Sequence, residues 1–141
     1  MNFYASPDYS SLKPKWRERF EFFDTYGAPM SQEFLTAIGA LPFRQKMLLG
    51  LNWFAFFFGP FYFLALKLWK PGLSLLALVV VIGVLEAVFE MMSGVDIPRG
   101  VDYGVNGAIA YVIGRCANYC YYLKEVKGRH DWNPFEAFRK S

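Results

Sequence analysis

Residues 71–92, PGLSLLALVVVIGVLEAVFEMM, decide the fold of this chain, because their only charges, Glu86 and Glu90, come near the end of the run. A helix rises 1.5 Å per residue, so about 20 apolar residues cross the hydrocarbon core of a bilayer, which is roughly 30 Å thick. The sequence therefore predicts a transmembrane helix over residues 71–92.

Two further apolar runs flank this helix. Residues 47–66 carry no charge, and residues 103–123 carry only Arg115. The 141-residue chain is 55% hydrophobic and 20% aromatic, and its charges concentrate in residues 8–46 and 124–140. This clustering is typical of an integral membrane protein with small polar ends and not of a soluble domain.

The first apolar run is broken near its middle by Gly59 and Pro60. Proline removes a backbone donor and clashes with the preceding turn of a helix. Asn52 adds a polar group before the break, and Trp53 is typical of the interface between lipid and water. We therefore predict that residues 47–70 form an interfacial or re-entrant aromatic segment that enters and leaves on one face of the membrane.

Lysine and arginine near the ends of spans are retained on the cytoplasmic side, and this sets the orientation. If only residues 71–92 and 103–123 span, seven basic residues flanking the apolar runs all fall on the cytoplasmic side: Arg44, Lys46, Lys67, Lys70, Lys124, Lys127 and Arg129. If residues 47–66 also span, the basic residues divide almost evenly between the two sides. We therefore favour two spans with cytoplasmic N- and C-termini, and three spans remain the alternative.

The predicted fold is an all-α membrane protein: an antiparallel transmembrane helix hairpin, preceded by the Gly-Pro-broken segment and by short amphipathic cytoplasmic helices. One such helix covers residues 15–26, with Trp16 and Phe20 on one face, and Ser31 can cap a second. The aromatic face contacts either an anionic lipid surface or the other helices, and both alternatives stay open. The predicted regions are residues 1–46 (cytoplasmic), 47–70 (interfacial), 71–92 (transmembrane), 93–102 (outer loop), 103–123 (transmembrane) and 124–141 (cytoplasmic tail).

Arg115 is the most informative polar residue, because a charged side chain inside a span is costly and needs a partner. Side chains tilt toward the N-terminus of their helix, which in an antiparallel pair tilts Glu86 and Arg115 toward each other. We predict a Glu86–Arg115 pair with Asn118 and Tyr111 completing its hydrogen bonds, and Glu90 nearby. The pair either fixes the register of two helices or belongs to an interface with a second copy or another membrane protein, along the stripe Gly104, Ala108, Tyr111, Arg115 and Asn118.

No set of residues with catalytic or metal-ligand spacing stands out. His130 is the only histidine and has no nucleophile beside it, and Cys116 and Cys120 lie one turn apart inside an apolar run. We therefore predict no enzyme, no cofactor and no metal site, and a net charge of +3 is too small to indicate nucleic acid. The first function hypothesis is a non-enzymatic adaptor or accessory subunit, and the alternative is an oligomeric transporter or channel component using Glu86, Glu90, Arg115 and Asn118.

Residues 52–70, NWFAFFFGPFYFLALKLWK, followed by Pro71 and Gly72, resemble an uncharacterised bacterial family, a domain of unknown function whose enterobacterial members are called inner membrane protein YigF. The pairs Lys15-Trp16 and Arg19-Phe20, and the pairs Ala117-Asn118 and Tyr121-Tyr122, are also similar, and the resemblance covers roughly residues 12–135. It implies a small inner-membrane protein of Gram-negative bacteria. It assigns no catalytic residue.

Overall fold

A computed structural model describes residues 8–139, and in this part of the chain every regular element is a helix. The elements are α1 (Pro14–Tyr26), α2 (Gln32–Gly39), α3 (Phe43–Gly50), α4 (Trp53–Phe58), α5 (Pro60–Ala65), α6 (Trp69–Ser93), α7 (Arg99–Lys127) and a 3-10 helix (Pro134–Phe138). The all-α prediction is confirmed for these residues. Residues 1–7 of the predicted N-terminal region and residues 140–141 of the predicted tail lie outside the described part.

The two N-terminal helices pack on each other and on α7. Ser31 caps α2, because its hydroxyl oxygen accepts a hydrogen bond from the Phe34 amide at 3.3 Å. The buried ring of Phe23 stacks on Phe34 of α2 at 5.8 Å and lies 5.3 Å from Tyr122 of α7. The aromatic face of α1 therefore contacts the other helices at Phe20 and Phe23, whereas Trp16 in the first turn is only half-buried.

The predicted interfacial segment is made of short helices. Between α4 and α5 stands Gly59 at φ +59°, a region that favours glycine, and Pro60 opens α5. Phe54 and Tyr62 stack at 5.8 Å, so the chain turns back on itself at this break. An additional break lies earlier, where α3 ends at Gly50 and α4 begins at Trp53.

Helix α6 extends the predicted span by a few residues, from 71–92 to Trp69–Ser93. Among the helices of residues 8–139 it alone is long and apolar enough to cross a membrane. Only 11% of its most apolar window is buried inside the protein. A helix that is apolar all round is normally buried in a core or in lipid, so α6 lacks a protein core around most of its length.

Helix α7 is longer than residues 103–123 at both ends. It begins at Arg99, so the connection to α6 is residues 94–98 and not 93–102, and it ends at Lys127, inside the predicted tail. The connection is tight because the Glu90 carboxylate accepts a hydrogen bond from the Ile97 amide at 2.8 Å. At the other end, Gly128 at φ +64° terminates α7.

Burial divides the molecule into two ends. The packed end is residues 8–75 and 113–139, which include α1 to α5, the start of α6, the end of α7 and the 3-10 helix, and it contains every buried residue of the described chain. The loop end is residues 76–112, in which no residue is buried. At the packed end Trp69 contacts the rings of His130 and Trp132 at 5.7 and 5.2 Å, so the beginning of α6 lies beside the segment that follows α7.

Candidate functional site

Buried and half-buried polar groups collect at one place in the packed end, where α1, α3, α4 and α7 meet. We call this set the polar junction: Arg19, Gly50, Asn52, Arg115 and Asn118. The side chains of Asn52 and Asn118 come from apolar runs, and each residue is only 1% exposed. Groups buried this deeply are normally hydrogen-bonded, so their partners explain how the segment is held.

Asn52 makes three hydrogen bonds, one that caps α4 and two that connect the broken segment to α7. Its side-chain oxygen accepts from the Ala55 amide at 3.2 Å, which caps α4. Its side-chain nitrogen donates to the Asn118 side-chain oxygen at 2.9 Å. Its backbone N–H donates to the Gly114 carbonyl at 3.0 Å. Because the cap occupies the Asn52 oxygen, the amide group of Asn52 has a single orientation at this contact.

Asn118 is only half satisfied. Its oxygen accepts from Asn52, whereas its buried side-chain nitrogen has no hydrogen-bond partner within the described residues. A buried donor without a partner costs on the order of 1–3 kcal/mol. Burying the Asn52–Asn118 contact therefore costs stability at the unpaired nitrogen, while its one hydrogen bond fixes the position of α4 against α7.

Two guanidinium groups converge on the C-terminal end of α3. Arg115 donates from Nη1 to the Gly50 carbonyl at 3.2 Å, and Arg19 donates from Nε to the Leu48 carbonyl at 2.8 Å. The last carbonyls of a helix lack partners within it and carry the negative end of its dipole, so cations are favourable there. Desolvation by burial lowers the pKa of Arg19 to about 10, so the group remains protonated at neutral pH.

A glycine allows the backbones to touch at the junction. A Cβ added to Gly114 would lie 2.6 Å from Leu51 Cδ1 and 3.3 Å from the Asn52 carbonyl oxygen. A larger residue would force the Leu51 side chain to move and would press on the Asn52 carbonyl at the start of α4.

The predicted pair of Glu86 with Arg115 is not brought together. Glu86 and Glu90 line a groove of about 310 Å³ at the loop end, together with Arg99 and Asp102. Arg115 lies about 20 Å further along α7 than Asp102, at a rise of 1.5 Å per residue. The physical reason is the short connection of residues 94–98, which places Arg99 and Asp102, and not Arg115, beside the carboxylates of α6.

The predicted stripe on α7 divides in the same way. Its three members nearest the connection, Gly104, Ala108 and Tyr111, are exposed, and Tyr111 keeps 50% of its surface accessible. Arg115 and Asn118 belong to the polar junction instead. Asn118 pairs with Asn52 of α4, a partner that sequence reasoning missed although it noted the polar Asn52 before the break.

The basic residues predicted as cytoplasmic anchors lie at the packed end. Lys67 and Lys70 stand at the beginning of α6, close to Trp69, which contacts His130 beyond the end of α7. Arg129 forms ion pairs with Asp131 at 2.9 Å and Glu136 at 3.4 Å. The remaining anchors are Arg44 and Lys46 in α3 and Lys124 and Lys127 in the last turn of α7.

An aromatic cluster around Asp24 was not predicted. The hydroxyls of Tyr9 and Tyr122 donate to the two oxygens of the Asp24 carboxylate. Burial, together with the hydrogen bond to Asp24, raises the pKa of Tyr9, so this phenol is protonated and acts as the donor. The three residues are far apart in sequence and carry no local pattern, so only the folded chain reveals them.

The two cysteines of the chain lie in α7 at the packed end. Cys116 and Cys120 are buried free thiols, and Cys120 donates a weak hydrogen bond to the Pro134 carbonyl at 3.4 Å. Across residues 8–139, no three His, Cys, Asp or Glu side chains are grouped so that they could hold a metal ion.

Comparison with known proteins finds matches over most of the chain. The family model described as "Protein of unknown function (DUF2628)" matches residues 8–127. "Uncharacterized protein YigF" from Salmonella typhimurium (strain LT2) and the protein of the same name from Escherichia coli (strain K12) are each 33% identical over 127 residues, which are 87% of this chain and 92% of the relative. No solved structure matches. The resemblance seen in the sequence is thereby confirmed.

Proposed function

We propose that this chain, which belongs to the DUF2628 family of proteins of unknown function, is a small integral protein of the bacterial inner membrane that acts as a non-enzymatic adaptor or accessory subunit. The loop end carries this proposal. No residue from 76 to 112 is buried, and the exposed side chains there include Val84, Leu85, Phe89 and Met91. A monomer in water rarely exposes so large a continuous apolar surface, so lipid or protein must cover it.

The proposed topology is an antiparallel transmembrane hairpin of α6 and α7. Leu75 and Val79 of α6 line the same apolar groove as Ile109 and Ile113 of α7, which supports two helices running side by side. The guanidinium of Arg115, the charged group inside α7, donates a hydrogen bond to the Gly50 carbonyl, so it has a polar partner within the protein. Both termini are proposed to be cytoplasmic, because the basic anchors lie at the packed end.

The α4–α5 segment is proposed to lie in the membrane interface and not to span. Each of these helices has six residues, about 9 Å of length, and Gly59 turns the second back beside the first. Their exposed rings include Phe57 at 73% and Phe61 at 67%. Aromatic side chains on a short, folded-back segment fit the boundary between headgroups and acyl chains, which favours two spans over three.

The division of the polar residues favours an adaptor over a transporter. A transport path through this hairpin would need Glu86, Glu90, Arg115 and Asn118 to line one continuous route. Instead, the first two open to the surface at the loop end, while Arg115 and Asn118 are used in hydrogen bonds that hold the fold. The proposed working surface is therefore the exposed face of the loop end, presented to another membrane protein.

Membrane insertion and topology are tested by fractionation and reporter fusions. The expected result is that the protein stays in the membrane pellet after alkaline washing. A reporter fused after Lys70 should be active in the cytoplasm, and one fused after Asp96 should be active outside it. Recovery of folded protein in the supernatant without detergent would refute the membrane proposal, and a cytoplasmic reporter after Asp96 would refute the hairpin.

The adaptor role is tested by photo-crosslinking in native membranes. A photoreactive amino acid placed at Val84, which is 55% exposed at the loop end, should crosslink to a different membrane protein. The matched control is Thr36, an exposed position on α2 at the packed end, where the same crosslink should be absent. Crosslinks at Val84 that join only copies of this chain would favour the pore, and crosslinks to lipid alone would contradict both roles.

A further inference from the structure

A groove of about 580 Å³ lies between the first turn of α1 and the beginning of α4. One part of its wall is basic, with Lys13, Lys15 and Arg19, and none of its lining residues is acidic. The rest of the wall is largely aromatic and includes Trp53 and Tyr62. Three cations facing aromatic rings across an open groove form a site for a ligand that is anionic at one end and apolar at the other.

Arg19 is the group that distinguishes this groove from an ordinary basic surface. The residue is 7% exposed, its Nε is used by the Leu48 carbonyl, and its guanidinium carbon lies 4.8 Å from the centre of the Trp16 ring. Its two terminal nitrogens donate to no residue of the described chain. A guanidinium held in place by burial, whose two terminal NH2 groups are not used by the described chain, is pre-organised for a phosphate.

We propose that this groove binds the headgroup of an anionic phospholipid, with the phosphate on Arg19 and the two lysines. The inference rests on the membrane location proposed above and assigns a lipid class to one surface of the protein. The acyl chains would continue along Trp53 and Phe54, which are 46% and 59% exposed and lead toward the aromatic edge of α4 and α5.

Continuity with the exposed aromatic edge identifies the ligand as a lipid and not a free anion. A neighbouring groove shares Lys15 and Trp53 with this one and adds Phe43, which is 76% exposed. Its lining also includes Arg44 and one acidic residue, Glu18. A free phosphate would use the cations and leave these aromatic walls in water. A zwitterionic lipid would bring a cationic amine or ammonium into a site that already holds three positive charges.

The test uses the full chain purified in a non-ionic detergent and exposed to defined lipids. Native mass spectrometry measures how much phosphatidylglycerol and how much phosphatidylcholine each protein molecule retains. The test variant is the double substitution Lys13→Gln with Lys15→Gln, since both lysines are exposed and neither holds the fold. The matched control is Lys124→Gln with Lys127→Gln, which removes the same charge from the last turn of α7, where neither lysine lines the groove.

The expected result is a clear preference of the wild type for phosphatidylglycerol, reduced about 25-fold in the groove variant, which lacks two lysines, and retained in the control variant. Each lysine beside an anionic lipid contributes on the order of a fivefold preference, which sets this magnitude. Equal retention of phosphatidylglycerol by the wild type and the groove variant would overturn the site. An equal loss of phosphatidylglycerol in the groove and control variants would also overturn it. Competition by inorganic phosphate at the concentration of the lipid would overturn the lipid assignment. These measurements in detergent do not depend on how many helices span, so their failure is distinct from failure of the proposed topology.

Discussion

The packed end and the loop end differ in how far their apolar side chains are buried within the protein. At the packed end five short helices fold over the start of α6 and the end of α7. They enclose the rings of Phe20, Phe34 and Phe63, although the rings at the α4–α5 edge stay exposed. At the loop end the same two long helices continue without any cover, and residues 76–112 contain no buried side chain. The chain is apolar in both places, so composition alone does not distinguish them.

The difference lies in where the polar groups find partners. At the packed end the asparagine pair and the two guanidinium groups bond to other parts of the chain, which requires breaks such as the one before Asn52. At the loop end the side-chain polar contacts join neighbours in sequence, as between Glu90 and Ile97 or Asn106 and Asp102. Internal polar contacts thus hold the packed end, whereas the loop end depends on its surroundings.

The largest expected contrast concerns two phenylalanines. Phe20 is 1% exposed and contacts the rings of Tyr9, Trp16 and Tyr122, whereas Phe57 is 73% exposed. We expect Phe20→Ala to lower the free energy of unfolding by about 3–5 kcal/mol, the usual cost of removing a buried ring. Phe57→Ala should leave it nearly unchanged. Thermal and denaturant unfolding in mild detergent measures both, and equal losses would show that the α4–α5 edge is packed like the core.

A smaller loss is expected when the asparagine pair is broken. Asn52→Ala removes the cap of α4, worth about 1 kcal/mol, and leaves the Asn118 amide with no partner, worth roughly 1–3 kcal/mol more. Asn106→Ala is the control, because Asn106 is exposed on α7 and bonds only to Asp102. Its effect should stay below about 0.5 kcal/mol. If the two variants unfold alike, the polar junction does not hold α4 on α7.

Two glycines in the same helix offer the next contrast. A Cβ on Gly72 would lie 2.9 Å from the Phe63 Cβ, where neither atom can move without its backbone, while Gly83 has no atom within 4 Å of an added Cβ. We expect Gly72→Ala to destabilise the protein by about 1–3 kcal/mol through overpacking of α5 on α6. Gly83→Ala should be neutral or stabilise by up to about 1 kcal/mol, since alanine is the better helix former. A stable Gly72→Ala variant, measured by the same unfolding assay, would show that α5 is free to move away from α6.

The sequence predicts local features well and distant contacts poorly. Three predicted features depend only on residues adjacent in sequence, and the structure has all three: the Gly59-Pro60 break, the Ser31 cap and the apolar run of α6. The predicted pairing of Glu86 with Arg115 depended on how α6 and α7 are aligned. That alignment is set by the connection between them, which is residues 94–98 and thus shorter than the predicted loop of residues 93–102. The true partner of Asn118 is Asn52 in another apolar run. No periodicity within one helix could have identified that contact.

The smallest expected effect is a pH dependence confined to the packed end. Burial, followed by the nearby charges of Lys70 and Lys124, lowers the pKa of His130 below its ordinary value of about 6.5, and Asp131 opposes this only in part. Well above pH 6.5 the imidazole is neutral in both the folded and the unfolded chain and contributes nothing. As the pH falls below 6.5 the unfolded chain binds the proton first, so stability is lost progressively. The difference in unfolding free energy between the wild type and His130→Gln should therefore shift against the wild type between pH 7 and pH 5. A difference that stays constant over this range would mean that His130 titrates as it does in water, and that the contact between Trp69 and the segment after α7 is loose.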